Sequence, residues 1–144
     1  MESSGFGRDT AWAMSEENVE AVRRSIDAFN RGDRTTWLAL RDRDCEIVPI
    51  GDWPGARAIR GREAGWDFYL DAAQTFETRV YAELVDAGGH KVLAHQRHEA
   101  RGRASGVDVE VNYWIVITFR EGKILRDEWF TDRAEALEAA GLSE

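Results

Sequence analysis

Apolar residues recur every three or four positions in three stretches of the first half of the chain, a spacing that predicts helices with one buried face. The first stripe consists of Val19, Val22, Ile26 and Phe29. We expect Ser15 to cap this helix and Gly32 to end it, because glycine adopts the left-handed closing conformation. Asp33 then caps a short second helix. A third helix is predicted over about Arg62 to Phe76.

Strand-like segments occupy much of the remaining chain. A first strand is expected around Cys45 to Val48, and a short extended piece near Ala58 to Arg60 follows a loop rich in proline and glycine. The second half holds four longer segments separated by turn-forming residues, which predicts antiparallel neighbours. These segments are Thr78 to Asp86, Lys91 to Arg101, Val107 to Phe119 and Lys123 to Thr131. Asp132 and Gly141 bound a last short helix.

This order of elements predicts an α+β domain, in which a curved antiparallel sheet carries helices on one face. The length of 144 residues is that of one domain. We expect residues 1–14 to be a flexible leader, because they lack periodicity, and residues 15–144 to form the single domain. No apolar run approaches the ~20 residues needed to span a bilayer. Without a recognisable signal peptide, the expected location is cytoplasmic.

Charge and cysteine content narrow the possible partners. The formal net charge of −8 opposes the counterion release that drives nucleic-acid binding and disfavours anionic membranes. Cys45 is the only cysteine, so neither an intrachain disulfide nor a thiolate zinc cluster is expected. His95 and His98 stand three apart on a predicted strand and therefore face opposite sides. We expect no metal and no cofactor.

The last hairpin carries an acidic run with two different environments. If its turn has two residues, Arg126 and Glu128 share one face and can pair, whereas Asp127 lies on the other face. Its neighbours there would be Val116, Leu125, Trp114 and Trp129. Such surroundings should raise the pKa of the Asp127 carboxyl and let it exchange a proton near neutrality. Alternatively, an Arg or His from another element contacts Asp127, or a β-bulge turns it to solvent.

Aromatic residues are dense for so short a chain, with six tryptophans among them. Aromatic walls suit a flat apolar ligand because they offer a large contact area at little entropic cost. Core packing is the alternative explanation, and we expect only two or three of these residues to contact a cavity. The candidates for ligand binding are Trp37, Trp53, Trp66, Tyr69, Trp114 and Trp129.

The chain also carries four short motifs, in the order AFNRGD, IRGREA, EGKI and DRAEALEAAGL. Together with the order of elements, they resemble the SnoaL-like branch of the nuclear transport factor 2-like superfamily, over about Ser15 to Leu142. The resemblance implies a cone-shaped α+β barrel, whose sheet wraps around the N-terminal helices and leaves an apolar pocket. It also implies a homodimer that packs sheet against sheet.

The catalytic residues of two branches of this superfamily do not transfer to the chain. Ketosteroid isomerases carry a Tyr in the first helix and an Asp after the first strand, where this sequence has Ser25 and, nearby, Pro49. Cyclases that resemble SnoaL often carry Glu-His-Trp-Asp on the last strand. In that register the His position holds Asp127 and the Asp position holds Trp129.

We therefore expect a cofactor-independent enzyme that acts on an apolar cyclic or polyketide-like small molecule. Asp127 would serve as general acid or base, and His95 or His98 would assist it. Two alternatives use the same fold without turnover: a small-molecule binding module and a dimeric interaction protein. A polar dyad in the pocket would favour the enzyme over the binding module, and a filled cavity would favour the interaction protein.

Overall fold

The computed structural model describes residues 3–51, 57–74 and 76–142, and for residues 3–14 and residue 76 it describes the backbone only. The helices are α1 (Ser3–Arg31), α2 (Arg34–Ala39), α3 (Arg62–Gln74) and α4 (Arg133–Ala140). The strands are β1 (Arg41–Val48), β2 (Ile59–Arg60), β3 (Phe76–Gly88), β4 (Lys91–Gly102), β5 (Asp108–Arg120) and β6 (Lys123–Phe130). None of the described helices is long and apolar enough to cross a membrane.

The strands form one sheet in the order β2-β1-β6-β5-β4-β3, and the predicted α+β class is confirmed. Strands β3 to β6 are antiparallel neighbours, as predicted. The prediction of a wholly antiparallel sheet was wrong, because β1 pairs with β6 in parallel. Parallel strands need a long crossover connection. Here the whole chain between β1 and β6 forms this connection. The parallel pairing therefore cannot be predicted from the pattern of residues within either strand.

Three helix termini form through the predicted caps. The Asp33 side chain accepts a hydrogen bond from the Thr36 N–H at 3.2 Å and so caps α2. Asp132 accepts from the Glu135 N–H at 3.1 Å and caps α4. Gly141 ends α4 with φ of 80°, a conformation that a side chain would disfavour. These boundaries are therefore set by local hydrogen bonding.

Helix α1 begins at Ser3, so Ser15 lies inside the helix and is not its cap. Extending an existing helix is far easier than nucleating one, and no proline interrupts residues 3–14. The backbone of the predicted leader is thus continuous with α1, whereas its assignment as a segment separate from the domain stays a prediction. Helix α3 ends at Gln74, two residues earlier than predicted.

A β-bulge between β5 and β6 changes the predicted register. Leu125 is the extra residue, so Asp127 pairs with Ile117 and not with Val116. Side chains alternate along a strand, and one additional residue reverses the faces beyond it. Ile124 and Asp127 consequently lie on the same face although they are three residues apart. This face is the one on which α1 packs.

The sheet has two covered faces. On the inner face, Val22 of α1 packs with residues of the central strands, among them Val92, Ile115 and Ile117. On the outer face, α4 covers part of β4 and β5 through Leu137. The remaining inner surface encloses the cavity described next.

Candidate functional site

A cavity of about 330 Å³ lies between the inner face of the sheet and helices α1 to α3. Its wall is largely apolar and aromatic, and includes Val22, Phe29, Phe68, Val80, Ile115 and Ile117. Several polar side chains also line the wall. Arg41, Asp127 and Tyr69 form one group and Gln96 and His98 form a second, and Ser25 and Thr78 line the wall as well. An apolar cavity with a few polar groups is the usual form of a small-molecule site.

Arg41 and Asp127 form a buried ion pair in the first group. The Arg41 Nη1 atom lies 3.0 Å from Oδ2 of Asp127, and each side chain is only 5% exposed. The guanidinium also lies over the ring of Trp37, 4.0 Å from its centroid. Sequence reasoning missed Arg41, because an arginine at the start of a strand is ordinarily solvated. The parallel pairing of β1 with β6 brings the two charges together.

The ion pair keeps both charges inside the protein. Burial is the largest single effect on Arg41 and lowers its pKa, but the negative charge of Asp127, together with smaller contributions from Tyr69 and Cys45, leaves the pKa above its ordinary value. Three of the pair's buried atoms have no hydrogen-bond partner in the described part of the chain: Nε and Nη1 of Arg41 and Oδ1 of Asp127. The contact of Nη1 with Oδ2 is therefore electrostatic. Buried polar atoms without a hydrogen-bond partner often mark a site where a ligand or water supplies the partner.

Tyr69 holds the same carboxylate oxygen as Arg41. Its hydroxyl donates to Oδ2 of Asp127 at 2.8 Å and accepts from the indole N–H of Trp129 at 2.9 Å. Burial of the phenol, and then the negative charge of Asp127, raise the pKa of Tyr69 well above its ordinary value. The phenol consequently stays protonated and keeps donating. Helix α3 and strand β6 are joined through this chain of hydrogen bonds.

His98 forms the second polar group with Gln96. Its Nε2 atom lies 2.8 Å from Oε1 of Gln96. The ring packs edge-on against Tyr113 and Trp129, with centroids 5.0 and 5.8 Å away. Burial lowers the pKa of His98 from 6.5 to about 4. The imidazole is therefore uncharged at neutral pH.

His95 lies on the outer face of the sheet, apart from the cavity. Its ring stacks on Trp114 at 4.9 Å, and its Nε2 atom lies 3.1 Å from Oδ1 of Asn112. His95 and His98 thus face opposite sides, as their spacing predicted, and only His98 shares the cavity with Asp127. Among the described residues, no group of three or more His, Cys, Asp or Glu side chains could hold a metal ion.

The aromatic candidates divide among three environments. Trp37, Tyr69 and Trp129 line the cavity. Trp66 is buried behind it and packs edge-on against Trp37, with ring centroids 5.4 Å apart. Trp114 lies on the outer face beside His95. Trp53 is outside the described residues.

The other acid of the last strand has the predicted partner. An oxygen of Glu128 lies 3.8 Å from Nη2 of Arg126 on the outer face, so this pair is confirmed. Arg126 also approaches Glu46 of β1 at 3.7 Å. The two neighbouring acids of β6 therefore lie on opposite faces and have separate basic partners.

Helices packed around a cavity on a six-stranded mixed sheet define the nuclear transport factor 2-like class of α+β proteins. Residues 22–127 match the SnoaL-like domain, and the chain belongs to that family. None of the curated proteins compared with this sequence matches it.

The fold recurs in several solved structures. Bal32a, from a soil-derived mobile gene cassette, is 24% identical, with a TM-score of 0.74 over 81% of this chain and 90% of its own. A nuclear transport factor 2-like protein of Burkholderia xenovorans LB400 is 26% identical, with a TM-score of 0.68 over 87% and 96%. Rv0760c of Mycobacterium tuberculosis, solved in complex with estradiol-17β-hemisuccinate, is 18% identical, with a TM-score of 0.69 over 81% and 95%.

Proposed function

We propose that this protein binds an apolar, ring-shaped small molecule in the cavity and acts on it by acid–base chemistry at Asp127, without a cofactor. The supporting observation is a carboxylate in a largely apolar wall, with one oxygen that has no hydrogen-bond partner among the described residues. In such a buried site, a proton transfer is sheltered from bulk water.

The surrounding residues have distinct roles in this proposal. Arg41 balances the negative charge of Asp127, and Tyr69 orients the carboxylate through its hydrogen bond to Oδ2. His98, uncharged and in the same wall, assists by forming a hydrogen bond to the ligand. His95 has no part, because it lies on the other face.

The size of the cavity supports a ligand of two or three rings. An apolar cavity of about 150 Å³ holds one benzene molecule, and the volume here is about 330 Å³. The complex of Rv0760c with an estradiol derivative supports the same class, because that protein shares the fold. A cyclic or polyketide-like compound fits this description.

Ligand binding without turnover is the second candidate function. It is favoured by the contacts that hold the carboxylate in place: Arg41 and Tyr69 both contact Oδ2 of Asp127, and Trp129 donates a hydrogen bond to Tyr69. A carboxylate held from several sides can serve to shape a pocket rather than to transfer protons. The dimeric interaction module is not favoured, because the cavity is not filled by the described side chains.

A screen for binding followed by product analysis distinguishes the two functions. Quenching of Trp37 and Trp129 fluorescence by fused-ring ketones and phenols would identify ligands, and mass spectrometry would detect turnover. We expect Asp127→Asn to abolish turnover and to retain binding. Glu128→Gln, the next residue on the outer face, is the matched control and should retain both. Wild-type turnover in Asp127→Asn would exclude the catalytic role, and binding without turnover in the native protein would support the second function.

Asp127→Asn leaves the charge of Arg41 buried without its partner, and this can destabilise the fold. The double variant Arg41→Gln with Asp127→Asn removes both charges and keeps a pair of neutral polar groups. It should fold, bind the same ligands and lack turnover. Circular dichroism and thermal unfolding would verify that both variants are folded.

We also propose a homodimer formed through the outer face of the sheet, as the family resemblance implies. Trp114 stacks on His95 there, and it pairs across the strands with Phe130. Both aromatic side chains are only half-buried. A second copy of the sheet would remove this apolar surface from water.

A further inference from the structure

We infer, on the basis of the proposed function, that Gln96 fixes the tautomer of His98 and thereby selects uncharged ring compounds that carry a hydroxyl group. Gln96 is a positioning residue in this view, because it acts on the ligand through His98. Three features of the cavity wall combine here: the buried amide, the imidazole beside it and the aromatic side chains that hold the ring.

Gln96 is a buried polar residue on the inner face of β4. Its side chain is among the wall residues, and the residue is only 8% exposed. Residues two apart on a strand lie on the same face, so Gln96 and His98 are neighbours in the wall. An amide in an apolar wall is costly unless it forms hydrogen bonds. The 2.8 Å contact with the imidazole provides one.

The hydrogen bond determines which nitrogen of His98 carries the proton. A neutral imidazole has one N–H donor and one acceptor nitrogen. Because the oxygen of Gln96 accepts at Nε2, the proton is on Nε2 and Nδ1 is the acceptor. Burial lowers the pKa of His98 to about 4, so this neutral form persists at physiological pH. The edge-on rings of Tyr113 and Trp129 hold the imidazole in place.

An acceptor nitrogen in an aromatic wall favours ligands that donate a hydrogen bond. A phenol or an enol satisfies it, whereas the corresponding ether leaves it unpaired. The charges of Arg41 and Asp127 balance each other, so the pocket offers no net charge to a charged ligand. Moving an ionised group into such a cavity carries a large desolvation penalty. The matching ligand is therefore flat, uncharged and hydroxylated.

Two naphthalene derivatives test the ligand class directly. 2-Naphthol and 2-methoxynaphthalene have the same two rings, but only the naphthol donates a hydrogen bond. We expect the native protein to bind the naphthol about tenfold more tightly than the ether at pH 7. Gln96→Met, which removes the acceptor at similar side-chain length, should reduce that ratio severalfold, because the naphthol loses more affinity than the ether.

A matched control comes from the outer face, where Asn112 and His95 form a similar amide and imidazole pair. Asn112→Leu should keep the native ratio of affinities. An equal ratio in the native protein and in Gln96→Met would overturn the inference while leaving ligand binding intact. If neither compound binds, the proposed pocket function fails and the inference fails with it.

The tautomer can be measured without any ligand. Long-range proton–nitrogen NMR spectra of the chain with ¹⁵N-labelled histidine, assigned with His98→Phe, distinguish the two tautomers. We expect His98 to carry its proton on Nε2 in the native protein and to show a mixture in Gln96→Met. A native His98 protonated at Nδ1, or spectra that do not change in Gln96→Met, would overturn the inference regardless of the affinities measured for the two naphthalene derivatives.

Discussion

Arg41 and Asp127 are 86 positions apart in the numbering of the chain, yet they approach to 3.0 Å in the interior. The pair joins the first residue of β1 to β6 beneath the cavity. An ion pair at this depth differs from the surface pairs of the protein, because neither charge can be solvated if its partner is lost. The stability of the fold and the proposed chemistry of the cavity therefore depend on the same two residues.

Arg41→Met should destabilise the protein strongly, because it leaves the Asp127 carboxylate buried without its counter-charge. We expect the free energy of unfolding to fall by about 3–5 kcal/mol, measured by urea denaturation at pH 7. Arg126→Met removes a more exposed arginine of β6 and should change it by less than about 1 kcal/mol. A small effect of Arg41→Met would show that the buried pair is not needed for stability.

Tyr69→Phe should remove two hydrogen bonds at once, one to Asp127 and one from Trp129. A loss of about 1–3 kcal/mol is expected, because buried polar groups on both sides lose a partner. Trp129 fluorescence should change as its indole N–H is freed from Tyr69. Tyr81→Phe, on the exposed side of β3, is the matched control and should leave stability and emission unchanged.

The stability of the protein should decrease as the pH falls from about 6.5 to about 4, owing to His98. The folded protein holds this ring neutral, whereas the unfolded chain takes up a proton in that interval, so acid favours unfolding. The contribution is fully present above pH 6.5 and amounts to at most about 3 kcal/mol. Urea denaturation across this range should show a shallower dependence for His98→Phe than for the native protein. His95→Gln should retain the native slope, and a similar flattening in this control would argue against His98.

The proposed dimer predicts a change of mass for variants of the outer face. Trp114→Arg should give a folded monomer in sedimentation velocity, because two charged side chains would oppose each other across the interface. Leu70→Arg alters an exposed residue of α3 and should leave the dimer intact. A monomeric native protein, or a dimer that survives Trp114→Arg, would contradict the proposed interface.

The features of the fold that could be predicted are those that depend on interactions between residues close together in the sequence. Asp33 and Asp132 cap helices because a carboxylate accepts from a backbone N–H three residues ahead, and Gly141 ends α4 because it tolerates a positive φ. Alternation along the strands likewise separated Arg126 and Glu128 from Asp127. These outcomes depend on neighbours within a few residues, and the sequence contains those neighbours explicitly.

The neighbours of Asp127 could be identified only from the tertiary structure. Its expected neighbour Trp114 lies on the other face, because a single extra residue at Leu125 shifts the register. The basic partner comes from a strand whose parallel pairing has no local signal. The alternative that an arginine from another element contacts the acid was thus the one realised.

By itself, the sequence determined the class of fold, the order and caps of most elements, and the fact that the two histidines of β4 face opposite sides. Only the tertiary structure decided which face lines the cavity, so that His98 and not His95 lies with Asp127. It also decided that Arg41 balances the acid. The physical reason is that periodicity specifies which residues share a face, whereas the contents of a cavity depend on strand pairing over long distances and on single-residue bulges.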